Sequence, residues 1–152
     1  MTRDYAALLD ELQQGAVDPT RFSHRDHVGV AFVALQEFGF FDGLAVVARG
    51  LRDLATCAGA PEKFNATVTL AFVSLIGERM QSDNARDAEA FILANPDLLD
   101  RDVLKPWYSA GRLSSQRARR TGLLPDRTPV VLGNCAHETA RPRRSKPAIA
   151  AH

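Results

Sequence analysis

A chain of 152 residues with 45% apolar and 24% charged side chains has the composition of one globular domain with a single sizeable core. That balance excludes a fully disordered, collagen-like or disulfide-scaffold chain, and the longest apolar stretch, residues 28–35, is far shorter than the ~20 residues that cross a bilayer. The net charge of +1 conceals a split: residues 1–111 carry 10 basic and 16 acidic side chains, residues 112–152 carry 9 and 2.

The apolar periodicity is helical along most of the chain. Tyr5, Leu8, Leu9 and Leu12 form one stripe of a first amphipathic helix over residues 5–14, ended by Gly15. A second helix spans residues 23–39, with Ser23 as its cap and Asp26 in its first turn. Its interior is apolar all round, which makes it the central element of a bundle. Asp42 is expected to cap a third helix whose stripe of Leu44, Val47, Leu51 and Leu54 reads as core. A fourth helix covers residues 65–81 and a fifth ends at Asn95-Pro96, where proline stops it. Asp97 is expected to cap a short sixth helix reaching Leu104, and a last helical piece lies near residues 114–120. Asn-Gly or Asp-Gly hairpin turns between alternating strands are missing. The fold class is therefore all-α, a compact bundle of five to six helices.

Residues 1–126 form the single helical domain. Residues 127–152, basic and with prolines at 129, 142 and 147, read as an extended or disordered tail. Its basic run lacks interleaved aromatics, which disfavours nucleic acid as a partner. The N-terminus has acids among its first residues and no small-residue cleavage site, the pattern of a cytoplasmic chain without a secretory signal. Cys57 and Cys135 have no neighbouring cysteine and read as free thiols. A homodimer through an apolar helix face is left open.

The densest polar cluster in an apolar setting is Ser23-His24-Arg25-Asp26-His27. His24 and His27, three apart, share a helix face. They can serve as an acid/base pair, hold a transition metal or form a structural hydrogen-bond network, and spacing alone does not choose. A metal needs further ligands, for which Glu78 and Glu62 are the candidates. The positive end of the helix dipole disfavours imidazolium and keeps a first-turn histidine available as a base. Thr67 and Glu78 fall near one face of the fourth helix, where Glu78 either meets the histidines or faces water. Trp107 and Tyr108, after Pro106, either fold over the site as a lid or hydroxyl donor or are edge packing.

Taken together, SHRDHVGVA, GAPEKFNATVT, LIGERM, ANPDLLD and WYSAGRLSSQRARR with LLPD resemble an uncharacterised bacterial family of small helical proteins. The resemblance covers about residues 18–126 and implies a helical fold without implying a reaction. Relatives tend to carry histidine where this chain has Asn65 and Gly77; His24, His27, Thr67, Glu78 and Tyr108 carry over.

The expectation from these residues is a small-molecule enzyme of lyase, isomerase or hydrolase type without a bound organic cofactor. His24 and His27 are base and partner, Glu78 orients them, and Tyr108 donates its hydroxyl. Arg25, Asn65, Thr67 and Trp107 contact the substrate. No Gly-rich phosphate loop, P-loop or GxSxG occurs. The alternatives are a non-catalytic binding or accessory protein with a structural histidine network and, for the site, a transition metal on His24 and His27.

Overall fold

The computed structural model describes residues 2–129, and among them every regular element is a helix. Helix α1 spans Tyr5–Gln14, α2 His24–Phe38, α3 Phe40–Cys57, α4 Ala66–Ser82, α5 Ala88–Ala94, α6 Ala110–Ser114 and α7 Gln116–Arg120. Short 3-10 turns at Pro19–Arg21, Pro61–Lys63 and Pro96–Leu99 each open on a proline, whose fixed φ suits a first helical position. None of these helices is long and apolar enough to cross a membrane. The disordered tail expected from the composition falls on residues 127–152, of which 130–152 lie outside the described residues, as does Cys135; Cys57 is exposed.

Helix α2 is the axis of the bundle. Val28, Val30, Ala31, Phe32 and Ala34 are all buried, because α1, α3, α4 and α5 pack around it. Its N-terminus is fixed by a reciprocal capping box. The Asp26 amide donates to the Ser23 hydroxyl at 3.2 Å, and the Ser23 amide donates to the Asp26 carboxylate at 2.8 Å. Asp26 is buried and also meets Arg3 at 3.1 Å, which ties the chain ahead of α1 to the start of α2. Arg25 pairs with Glu89 of α5. Tyr5 lies flat on α2 at Gly29, where a Cβ would sit 2.2 Å from its ring, so only glycine lets α1 approach this closely.

Two boundaries differ from the sequence expectation. Helices α2 and α3 are joined by one residue, Gly39, at φ 78°, and α3 starts there, leaving Asp42 inside its first turn. The left-handed conformation lets a single glycine reverse the chain where a longer capped linker is expected. The helix expected from Asp97 to Leu104 is a 3-10 turn followed by hydrogen-bonded turns. Asp97 is not free to cap, since both its oxygens accept from Arg79 of α4, at 2.7 and 2.6 Å.

Candidate functional site

Between α2, α3, α4 and the turn before α4 lies an open cleft of about 730 Å³, within the size range of small-molecule sites. One wall is the α3 stripe. Val47 alone of that stripe is fully buried, while Leu51 and Leu54 are half-buried and border the cleft with Ala55 and Ala58. The stripe packs against the core, as expected, and its Leu51 and Leu54 also form a wall of the cleft. The facing wall comes from α4, with Val68, Thr69, Phe72 and Val73.

His24 and His27 both border the cleft, their ring centroids 6.0 Å apart, on the first turn of α2 as the three-residue spacing requires. Main-chain carbonyls accept only, so they set the tautomers. His24 Nε2–H donates to the Leu98 carbonyl at 3.0 Å, and Nδ1 makes no hydrogen bond to the described residues. His27 Nδ1–H donates to the Ser23 carbonyl at 2.9 Å, leaving Nε2 with its own. Phe22 packs edge-on against His27 and Phe72 lies 5.2 Å from His24, so both rings are gripped by aromatic neighbours.

Burial lowers the His27 pKa below its ordinary value of 6.5, and the charges of His24 and Arg101 act in the same direction. The Ser23 carbonyl and Asp26 oppose them without reversing the sign. His27 is thus a neutral imidazole at neutral pH, with one nitrogen pinned and the other available.

The remaining expected site residues divide. Asn65 borders the cleft, but its Oδ1 caps α4 by accepting from the Val68 amide at 3.0 Å and its Nδ2 donates to the Leu113 carbonyl at 2.7 Å. Glu78 is exposed on α4 and does not reach the histidines, so it is no orienter; the main-chain carbonyls of Ser23 and Leu98 take that role. Tyr108 is buried away from the cleft, its hydroxyl donating to the Leu123 carbonyl at 3.1 Å, and burial raises its pKa. Trp107 is half-buried outside the cleft, and its carbonyl accepts from the Arg127 amide at 3.0 Å. Arg25 leaves the cleft for Glu89.

Thr67 is fully buried, donating to the Thr121 carbonyl at 2.6 Å and accepting from the Leu123 amide at 2.9 Å. It is Thr69 that borders the cleft, and its hydroxyl makes no hydrogen bond to the described residues. Two residues along a helix are about 200° around it, so the neighbouring threonines serve opposite sides.

Sequence reasoning also passed over Lys63 and Arg101, both at the cleft rim. Lys63 ends the turn that leads into Asn65, and Arg101 follows the Pro96–Leu99 turn whose Leu98 carbonyl holds His24. Their signal was available in the charge pattern only once the turns were known to close over one site.

As a metal site the cleft presents two imidazoles. Among the described residues no third histidine, cysteine or acid stands with them, and Glu62 and Glu78 both lie outside the cleft lining. Two donors fall short of the three or four protein ligands that zinc ordinarily takes. Compared with protein-family models, curated proteins and solved structures, the chain matches none.

Proposed function

We propose that the chain is a small-molecule enzyme in which His27 acts as general base in this cleft and His24 is the adjacent proton-transfer group. The observation that carries the reading is the pinned tautomer of His27: a half-buried imidazole, held neutral, with one nitrogen on the Ser23 carbonyl and the other uncommitted. Proton transfer needs a base that is unprotonated at working pH and fixed in orientation, and both conditions are met without a carboxylate partner. Proton abstraction, elimination, isomerisation and hydrolysis all begin with this step, so a lyase, an isomerase or a hydrolase fits. Thr69 supplies a hydroxyl on the facing wall. On this reading the protein works in the cytoplasm on a small molecule, and no organic cofactor is required for the step.

The resemblance to a small helical bacterial family is proposed on the same footing. Asn65 borders the cleft, so a relative with histidine there would bring a third imidazole to the pair. Gly77 packs beside Phe40 and Leu35, away from it.

The test is hydrogen–deuterium exchange into a panel of small carbon acids, followed by proton NMR. The parent is expected to catalyse exchange in at least one member, and His27→Gln to abolish it while remaining folded. Exchange that survives in His27→Gln would remove the histidine from the chemistry. The displacement of Glu78 and Tyr108 favours a second reading, a cleft that binds a small molecule without turnover; binding without exchange by any panel member would select it.

A further inference from the structure

The rim charges go further than the general reading, on which this inference rests. The body of the chain is acidic, 10 basic against 16 acidic side chains over residues 1–111, yet among the described residues no carboxylate borders the cleft. The Lys and Arg side chains that border it there are Lys63 and Arg101. Among the described residues neither takes part in an ion pair, although acids flank both in sequence: Asp102 is held by Lys105 at 2.7 Å, and neither Glu62 nor Asp100 pairs with the neighbouring cation. Behind these two cations the cleft is apolar, walled by Leu51, Leu54, Val68 and Phe72.

We infer that the ligand of this cleft is a monocarboxylate with an apolar body, its carboxylate held at the rim by Lys63 and Arg101 and its apolar part lying against α3 and α4. A neutral His27 fits this arrangement. A base that is itself uncharged takes a proton from an anionic ligand without first requiring a second anion beside it, and the imidazolium formed is then stabilised by the ligand's own charge. Opposite charges at the mouth of an apolar site orient the ligand and raise its encounter rate.

Octanoate and 1-octanol share a chain length and differ in charge. Partition from water favours the alcohol, so a preference for octanoate would have to come from the protein. Each is titrated into the full chain at pH 7.5, with the imidazole proton–nitrogen signals of His24 and His27 as the readout, in the parent and in a Lys63→Gln/Arg101→Gln double variant. Both substitutions fall on exposed side chains, and octanol binding serves as the control for an intact cleft. The expected result is that octanoate binds the parent roughly tenfold more tightly than octanol, as two partly screened charge contacts together supply. The preference should vanish in the double variant and weaken with added salt, octanol binding staying constant.

Equal binding of the two ligands, or tighter binding of octanol, overturns the assignment of an anion while leaving the imidazole base beside an apolar site. Octanoate preference that survives the double variant overturns the role of Lys63 and Arg101 and the inference with it. If neither compound moves either ring, the cleft takes no apolar monocarboxylate and this inference falls, while the exchange experiment with His27→Gln still decides the imidazole base.

Discussion

His27 illustrates how little sequence distance separates a site residue from a structural one. The pairing of His24 and His27 was legible from a three-residue spacing on one helix face, whereas Thr67 and Thr69 were not distinguishable until the rotation of α4 about its axis was fixed. A helix position predicts a face, but which face meets a cleft depends on neighbours distant in sequence, here residues 121–123 on one side and α2 and α3 on the other. The pKa of His27 carries a stability consequence of definite sign. Its folded value lies below the ordinary 6.5 that applies to the unfolded chain, so between the two values the unfolded chain binds the extra proton. The contribution is fully present above 6.5 and is lost as pH falls through that value toward the folded one, levelling below it. Urea denaturation of the parent and of His27→Gln should therefore show the parent's advantage greatest at pH 7.5 and smaller at pH 5. An advantage that grows on acidification would mean that the folded protein prefers imidazolium, and the neutral-base reading would lose its footing.

The helices themselves were legible because their stripes and caps agree. Ser23, Asn65 and Asp87 each accept from an amide three residues on, as cap residues do. What escaped was the use to which a stripe is put: an apolar face looks the same whether it packs against a helix or walls a cleft, and on α3 it does both. The ANPDLLD and GERM segments resolve into a clamp between α4 and the end of α5. Arg79 grips Asp97 with two hydrogen bonds and reaches the Asn95 side chain at 3.2 Å, while Asn95 Nδ2 donates to Asp83 at 2.8 Å and to the Phe91 carbonyl at 2.9 Å. The Arg79 guanidinium holds the Asp97 carboxyl below its ordinary value. Stability from this pair is present above the unfolded value near 4 and lost as pH falls through the lower folded one. Because Asp97 is half in solvent, Asp97→Asn should cost only about 1 kcal/mol at pH 7. That cost should shrink steadily in denaturation curves taken at successively lower pH below about 4. A cost independent of pH would mean that the substituted amide fails for steric reasons and that the charge of Asp97 contributes little.

On the scale of the whole molecule, the C-terminal part of the described chain closes the fold by lacing residues 121–127 back across the bundle. The composition pointed to a boundary near residue 126, and the segment just before it proves to be attached throughout: Thr67 holds Thr121 and Leu123, Tyr108 holds Leu123, Arg112 Nε donates to the Leu124 carbonyl at 2.7 Å, and Ser109 holds Asp126 at 2.6 Å. Such long-range polar pairings leave no periodic trace, which is why Thr67 and Tyr108 were open to a functional reading. Thr67→Val keeps the shape of the side chain and removes its hydroxyl, leaving the Thr121 carbonyl and the Leu123 amide without that partner in a partly buried setting. The expected loss is about 2 kcal/mol, with faster hydrogen exchange at the Leu123 amide as the local signature. Since Thr67 lies away from the cleft, the response of the His24 and His27 rings to octanoate should match the parent's. The opposite pattern, unchanged stability with ligand response abolished, would return Thr67 to the substrate and place the lacing of residues 121–127 in the service of the site.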